Sequence, residues 1–133
     1  MLVVDDSLLA TNMYRLLFAS HPEWEVDYVS DLTPISRFRS RSKGPAWQVI
    51  IVNTSVAARD PGSLPQLFQS KSATKQLAKI FLISPGQGAL KDDLSRLPFT
   101  TLVQKPFFPY DLIMQMNRII IHGDNTKKKP ARR

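Results

Sequence analysis

The sequence predicts an α/β fold in which a doubly wound parallel β-sheet carries helices on both faces. Strand-like and helix-like segments alternate five times along the chain and are joined by short connections. The first, third and fourth strand segments are apolar throughout, as is typical of strands that are buried on both faces. The 133 residues match the length of one ordinary domain, and no internal repeat or second domain is visible.

The first strand and the first helix are predicted within residues 1–22. Residues 1–4 form a short apolar run, and Ser7 then provides an N-cap for a helix. The helix is indicated by a stripe of side chains at helical spacing. This stripe consists of Leu8, Leu9, Asn12, Met13, Leu16 and Leu17. The His21-Pro22 pair ends the helix, because the residue before a proline is biased away from helical geometry.

The middle of the chain continues the alternation. Trp24, Val26 and Tyr28 alternate with other side chains, which predicts a half-buried second strand. Pro34 suits the first turn of a second helix. The run WQVIIV at residues 47–52 has the length and the β-branched content of a buried third strand.

Three further helices and two further strands complete the pattern. A loop over residues 54–62 ends in Asp-Pro-Gly, and residues 80–83 and 100–104 read as the fourth and fifth strands. The helices are indicated by apolar side chains in three groups: Leu64, Leu67 and Phe68; Leu90, Leu94 and Leu97; and Leu112, Ile113, Met116, Ile119 and Ile120.

The composition excludes several classes of site. The chain has no cysteine, which rules out disulfides, thiol catalysis and cysteine-rich zinc sites. Its two histidines, His21 and His122, have no partners at triad-like positions. No apolar run approaches the roughly 18 residues of a membrane span, and no signal peptide is recognisable, so a cytoplasmic location is expected.

The net charge of +7 is unevenly distributed. The segment 123–133 contains five basic residues and one acid, so it carries +4, and residues 1–122 carry the remaining +3. We therefore predict a domain at residues 1–122 and a basic tail or linker at residues 123–133. A second basic cluster comprises Arg37, Arg39, Arg41 and Lys43. Both stretches are expected to be solvated, with nucleic-acid binding through the tail as an alternative.

Polar side chains follow four of the predicted strands. Asp5 and Asp6 end the first strand, Asn53 the third, Ser84 the fourth and Lys105 the fifth. In a parallel sheet the functional site lies outside these carboxyl ends. Adjacent carboxylates suit a hard cation such as Mg²⁺, and a hydroxyl and an ammonium nearby could receive phosphoryl oxygens.

These segments resemble the receiver domain of two-component response regulators. The resemblance rests on LVVDDS at residues 2–7, VIIVN at 49–53, FLIS at 81–84 and LVQKPF at 102–107, and it covers residues 1 to about 122. It implies a flavodoxin-like five-stranded sheet in the order 2-1-3-4-5. It also implies that an acid pair binds Mg²⁺ and that an aspartate ending the third strand accepts a phosphoryl group from a histidine kinase.

The site residues of the family map onto this chain by position, with departures. Asp5 and Asp6 match the metal-binding acids of the family, and Ser84 matches its switch hydroxyl. Lys105 matches the lysine that ends the fifth strand and pairs with the phosphoryl group in the family. Asn53, however, stands at the phosphoacceptor position, and an amide cannot form an acyl phosphate. The site also loses a negative charge, so any Mg²⁺ binding is expected to be weakened.

Further departures extend beyond the acceptor. Leu102 replaces the aromatic side chain of the family's switch, Pro85 follows Ser84, and the loop after Asn53 lacks the family's Met-Pro. The sequence thus predicts an atypical receiver that is not an enzyme and acts by phosphorylation-independent protein–protein interaction. The alternatives are an Asp→Asn variant of a phosphorylatable receiver and a nucleic-acid-binding accessory protein.

Each site residue also has a structural interpretation. Asn53 is expected to tie neighbouring strand ends together, Ser84 to act as a cap, and Lys105 to form an ion pair with Asp5 or Asp6. The two acids either hold a weakly bound cation or pair with Lys105 alone.

A partner surface is also expected, because adjacent phenylalanines cannot easily both face the core. It comprises Leu102, Phe107, Phe108 and Tyr110. The resemblance implies dimerisation through helix 4, strand 5 and helix 5, and contacts with a kinase or an output partner. Pro106 is expected to follow a cis peptide bond, as in the family.

Overall fold

A five-stranded parallel sheet forms the centre of the protein. The structure is a computed structural model and describes residues 1–37, 47–70 and 75–119. The strands are β1 (Leu2–Val4), β2 (Asp27–Val29), β3 (Val49–Asn53), β4 (Ala78–Ile83) and β5 (Thr100–Gln104). They lie in the order β2-β1-β3-β4-β5, and every neighbouring pair is parallel. The predicted fold class and strand order are confirmed.

Helices cover both faces of this sheet. They are α1 (Leu8–Phe18), α2 (Thr33–Ser36), α3 (Ser63–Gln69), α4 (Gly88–Ser95) and α5, which is described over residues 109–119; a 3₁₀ turn spans Thr54–Ala57. Apolar side chains of α2, α3 and α4 form a first core cluster on one face of the sheet. Those of α1 and α5 form a second core cluster on the other face. Alternate residues of β1, β3 and β4 point into each cluster, which explains why these strands are apolar throughout.

The buried face of α1 differs from the predicted stripe. Tyr14 and Phe18 are buried, whereas Leu8, Leu9 and Leu16 are 77%, 82% and 80% exposed. The spacing of aliphatic residues does not predict this face, because the face includes a tyrosine. A tyrosine is buried where its hydroxyl has a hydrogen-bond partner, and the spacing along one helix does not reveal that partner. The N-cap is confirmed, since the hydroxyl oxygen of Ser7 accepts a hydrogen bond from the backbone N–H of Ala10 at 3.2 Å.

The second strand begins later than the alternating pattern suggested. Trp24 lies before β2 and stacks on the ring of His21, with the ring centroids 4.3 Å apart. β2 is short because it is an edge strand that pairs only along the three residues of β1. Val26 and Tyr28 are half-buried and pack against the second core cluster.

Several predictions fall outside the described residues. Arg39, Arg41, Lys43 and His122 lie there, as does the basic segment 123–133. The division into a domain and a tail therefore stays a prediction. No helix in the described part of the chain is long and apolar enough to cross a membrane.

A lysine is buried at the amino end of β4, opposite the edge that carries the polar strand ends. Lys79 is fully buried, and its Nζ donates hydrogen bonds to the carbonyl oxygens of Lys75, Leu77 and Pro98 at 2.9, 2.7 and 2.8 Å. An ammonium group has three N–H donors, so these carbonyls can satisfy all of them. Burial nevertheless lowers the pKa of Lys79 from 10.5 to about 8, because the charged form is poorly solvated in the interior.

The buried ammonium predicts a pH-dependent stability. Between about pH 8 and pH 10.5 the unfolded chain binds more protons at Lys79 than the folded chain does, so the free energy of unfolding rises with pH in this window. The full rise amounts to about 3 kcal/mol at 1.36 kcal/mol per pKa unit. Urea unfolding of the protein and of Lys79→Met between pH 7.5 and 10.5 measures this rise. Subtracting the free energy of unfolding of the variant from that of the protein removes the contributions of the other titrating groups. Equal pH dependence in the two proteins would contradict the assignment.

Candidate functional site

Three polar side chains meet at the carboxyl edge of the sheet. Asp5 follows β1, Asn53 is the last residue of β3, and Lys105 follows β5. Asp5 and Asn53 are buried, at 3% and 8% exposure. Lys105 is held there by its backbone N–H, which donates to the carbonyl oxygen of Ile83 at 2.7 Å, just beyond the last paired residues of β4 and β5. The fold thus brings together three of the five residues that the sequence placed at strand ends.

The carboxylate of Asp5 accepts hydrogen bonds from three groups of the chain itself. Its Oδ1 accepts from the backbone N–H of Ser7 at 2.9 Å. Its Oδ2 accepts from the hydroxyl of Tyr14 at 2.8 Å and from Nδ2 of Asn53 at 3.0 Å. These donors replace the water that the carboxylate loses on burial.

Tyr14 was not recognised as a site residue from the sequence. It lies in α1, 1% exposed, nine positions after Asp5. Burial, followed by the hydrogen bond to Asp5, raises the pKa of its phenol well above the ordinary value, so the hydroxyl stays protonated and remains a donor. The signal in the sequence was a single tyrosine among the leucines of an apolar helix.

Asn53 lies between Asp5 and Lys105 and bonds to both. Its Nδ2 donates to Asp5, and its Oδ1 accepts from Nζ of Lys105 at 2.8 Å and from the backbone N–H of Ser55 at 3.2 Å. The expected ion pair between Lys105 and Asp5 or Asp6 is therefore wrong: no such pair exists among the described residues. The physical reason is that the amide of Asn53 offers the ammonium an oxygen while its other end turns toward the carboxylate.

Asp6 and Ser84 lie outside this chain of hydrogen bonds. Asp6 is exposed, and its Oδ1 accepts from the hydroxyl of Ser55 at 3.3 Å. The backbone N–H of Ser84 donates to Oε1 of Gln87 at 2.8 Å. The hydroxyl of Thr54, which has one hydrogen to donate, lies 2.8 Å from Gln87 Oε1 and 3.0 Å from the carbonyl oxygen of Leu82. Sequence reasoning missed Thr54 and Gln87, whose only signal was their place in the loops that follow β3 and β4.

The four residues of the expected partner surface are divided between core and solvent. Leu102 packs against the first core cluster and Phe107 against the second. Phe108 and Tyr110 are 77% and 69% exposed. One of the two adjacent phenylalanines thus faces inward and the other outward, which is one of the two arrangements compatible with their adjacency. The Lys105-Pro106 peptide bond is cis.

The residues of this site offer a divalent cation only part of the oxygen ligands that it needs. Mg²⁺ prefers about six oxygen ligands in octahedral geometry and usually keeps several waters. Asp5 Oδ2 accepts two hydrogen bonds, and the amide oxygen of Asn53 accepts two, one of them from the Lys105 ammonium at 2.8 Å. Asp5 Oδ1, in contrast, accepts one, and the carboxylate of Asp6 is exposed. No group of three or more acidic or histidine side chains that could hold a metal occurs within residues 1–37, 47–70 and 75–119.

Solved structures with the same fold are receiver domains. The chain is similar to the signal receiver domain of a putative LuxO repressor protein from Vibrio parahaemolyticus, with 17% identity, coverage of 95% of this chain and 92% of that chain, and a TM-score of 0.75. It is similar to a receiver-modulated diguanylate cyclase, a response regulator from Pelobacter carbinolicus, with 14% identity, 96% coverage of both chains and a TM-score of 0.68.

A third structure was solved with a metal. It is the receiver domain of a sensor histidine kinase from Pseudomonas aeruginosa with a magnesium ion in its active-site cleft, at 17% identity, covering 90% of this chain and 94% of that one, with a TM-score of 0.69. No protein-family description matches the sequence, and no curated protein is significantly similar to it. At these identities the likeness shows the fold, which is the flavodoxin-like receiver fold.

The hydrogen bond between Asn53 and Asp5 predicts the effect of a carboxylate at residue 53. Asn53→Asp replaces the donor with an oxygen that faces Asp5 Oδ2 across about the same 3.0 Å, and the attraction between the new carboxylate and Lys105 Nζ offsets part of this repulsion, so the net cost is about 1 kcal/mol at neutral pH. Repulsion raises the folded-state pKa of the acid pair, so the cost is absent at low pH and appears as the pH rises through that pKa. Thermal unfolding at pH 4 and pH 7.5 without divalent cations measures the difference.

Asn12→Asp is the matched control for this experiment. Asn12 is exposed on α1, so the substitution adds the same charge at a solvated position. If Asn53→Asp and Asn12→Asp shift the unfolding temperature equally at both pH values, the arrangement of Asn53 against Asp5 is refuted.

Proposed function

We propose that this chain is an atypical receiver module of two-component signal transduction that acts through protein–protein contacts and carries no phosphoryl group on residue 53. The observation that carries the proposal is the position of Asn53. It ends β3 in a receiver fold, and its amide bonds to Asp5 on one side and to Lys105 on the other. Residues 1–122 would form the module and residues 123–133 a basic tail.

The chemistry of an amide supports the absence of phosphotransfer at this position. An acyl phosphate forms when a carboxylate oxygen attacks phosphorus, and Asn53 has no carboxylate. Its amide oxygen is also engaged by two donors, Lys105 Nζ and the backbone N–H of Ser55. With no phosphoryl group to favour one of two conformations, regulation falls to partner binding or oligomerisation.

The similar proteins suggest what kind of partner to expect. One of them is a receiver-modulated diguanylate cyclase, and another is the receiver domain of a sensor histidine kinase. By analogy we propose that this chain binds another signalling protein, such as a kinase or an output partner, in the cytoplasm, and has no enzymatic activity of its own. Nucleic-acid binding through residues 123–133 is the alternative, and salt-dependent binding that is lost on removing this segment would support it.

Incubation with a small phosphodonor and Mg²⁺ tests the proposal. We expect no phosphoryl mass on the protein by intact mass spectrometry, because residue 53 is an amide. The Asn53→Asp variant serves as the comparison, and Asn12→Asp controls for an exposed new carboxylate. A phosphoryl group on Asn53 of the unaltered protein would contradict the proposal. Rapid phosphorylation of Asn53→Asp, without any on Asn12→Asp, would instead favour a phosphorylatable receiver with an Asp→Asn change.

Self-association is the second element of the proposal. Tyr110 and Met114 lie one turn apart on α5 and are 69% and 45% exposed. Neighbouring exposed apolar side chains on one helix are typical of an interaction surface. We propose that a second copy of the chain covers them, in a dimer that uses α4, β5 and α5 as the receiver resemblance implies.

Sedimentation velocity measures this association. We expect a monomer–dimer equilibrium that Tyr110→Ser/Met114→Ser shifts at least about tenfold toward monomer, through the loss of two buried apolar side chains. Leu8→Ser/Leu16→Ser is the control, because it removes two exposed apolar side chains, 77% and 80% exposed, from α1. Dimers that dissociate only in the control, or a protein that is monomeric at every concentration, would refute the proposed dimer.

A further inference from the structure

We propose that the outer edge of β5 pairs with the same strand of a second copy of the chain, so that backbone hydrogen bonds join the two sheets. The inference rests on the self-association proposed above and specifies its geometry. Strand pairing then lies at the centre of the dimer, beside the exposed side chains of α5. Three features of β5 carry the inference: its unpaired backbone groups, its lack of charge and proline, and its fixed ends.

The outer edge of β5 is identified by the hydrogen bonds at the two ends of the strand. The N–H of Lys79 donates to the carbonyl oxygen of Phe99 at 2.8 Å, and the N–H of Lys105 donates to the carbonyl oxygen of Ile83 at 2.7 Å. Alternate residues of a strand direct their backbone groups to opposite sides. Phe99 and Lys105 face β4, and so do Thr101 and Val103 between them. The three residues that face away from β4 are Thr100, Leu102 and Gln104.

These three residues present their N–H and C=O groups to the edge of the sheet. No residue that the structure describes donates to these N–H and C=O groups or accepts from them. Residues 100–103 are half-buried and Gln104 is exposed, so the strand is only partly covered along its length. An edge of this kind is a template for pairing with another strand.

The two edge strands of the sheet differ in their protection. β2 has three residues, and the exposed carboxylate of Asp27 accepts from Nε1 of Trp47 at 3.1 Å, so both a charge and an indole lie on that strand. β5 has five residues and contains neither a charged side chain nor a proline. Short length, charge and proline are features by which edge strands avoid pairing, and β5 has none of them.

Both ends of β5 are held in place by contacts within the chain. At the start, the ammonium of Lys79 donates to the carbonyl oxygen of Pro98 at 2.8 Å, and Oγ1 of Thr100 donates to the same oxygen at 3.2 Å. At the end, Nζ of Lys105 donates to Asn53 at 2.8 Å. A strand that is already ordered loses little conformational entropy when it pairs, so less of the energy of the new hydrogen bonds is offset.

The sequence of β5 favours a second copy of the chain as the occupant. Pro98 and Pro106 lack N–H groups and lie four residues before and four residues after Leu102, so they limit pairing symmetrically on both sides of Leu102. An antiparallel pair with its two-fold axis at Leu102 places Thr100 opposite Gln104 and Leu102 opposite its own counterpart. The opposed residues are all uncharged, and each outward N–H meets an outward C=O.

Hydrogen exchange of single backbone amides, followed by NMR spectroscopy of the full chain, measures this pairing. Samples are compared at concentrations where sedimentation velocity shows monomer and dimer. With about nine-tenths of the chain in the dimer, we expect the amides of Thr100, Leu102 and Gln104 to exchange about tenfold more slowly, because only the remaining monomer exposes them. The amide of Tyr28, which faces outward on β2, is the matched control, and its exchange should not change.

Gln104→Pro tests the same pairing by substitution. It removes one outward N–H at an exposed position, and proline is tolerated on an edge strand where its nitrogen faces solvent. Because a symmetric dimer loses this bond twice, we expect the dissociation constant to rise at least about tenfold. Gln104→Thr is the matched control, since it replaces the same side chain and keeps the N–H, so it should dimerise as the unaltered protein does. Cooperative urea unfolding establishes that each variant is folded.

A contact between copies distinguishes strand pairing from contact between helix faces. In the proposed pair Thr101 lies opposite Val103 of the second copy, and their α protons are close because such opposed residues exchange no hydrogen bonds. We expect this contact in isotope-filtered NMR spectra of dimers formed from labelled and unlabelled chains. A dimer that lacks the contact and the slowed exchange would refute strand pairing and leave self-association in place.

Two other results would also overturn the inference. Slowed exchange at Leu102 only after another protein is added would show that the strand pairs with a different partner, not with a second copy. A protein that is monomeric at every concentration would refute both the strand pairing and the proposed self-association. The phosphorylation of residue 53 is measured separately by mass, so these results are distinguishable from failure of the proposed receiver function.

Discussion

A carboxylate buried at the end of a parallel sheet must have hydrogen-bond donors, and the donors of Asp5 determine the arrangement of this site. Tyr14 comes from α1, Ser7 from the turn before it, and Asn53 from the end of β3. Asn53 then holds Lys105 at the end of β5. One buried charge thus sets the orientation of α1 against the sheet and links the ends of three strands.

The sheet and its order followed from the sequence because the signals are local and repeated: three apolar strands, alternating helices and polar residues at the strand ends. The buried face of α1 and the partner of Lys105 did not, because both depend on contacts that are distant in the chain. Tyr14 can be buried because its hydroxyl donates to Asp5, and Lys105 donates to the amide oxygen of Asn53, 52 positions away. Residue type at a strand end indicates what chemistry gathers there, whereas which donor reaches which oxygen is decided by packing.

Lys79 illustrates the same limit at the opposite edge of the sheet. A lysine at the start of β4 reads as the exposed boundary of an apolar strand, and the strand was predicted to begin one residue later. In the structure three backbone carbonyls surround its ammonium, two from the segment before β4 and one from Pro98 before β5. Backbone carbonyl groups leave no signature in a sequence, so a binding site built from them is visible only in three dimensions.

The bonds made by Gln87 have a mechanical consequence. A single side-chain oxygen accepts from the Ser84 backbone, after β4, and from the Thr54 hydroxyl, after β3, which shares its one hydrogen with the carbonyl oxygen of Leu82 in β4. The two loops are thereby crosslinked at one atom, and Gln87 immediately precedes α4. A force that displaces the start of α4 must either break this crosslink or pull on Thr54, the neighbour of Asn53. If a bound protein displaced α4, the backbone at the end of β3 would move with it, without any change in charge at the strand ends.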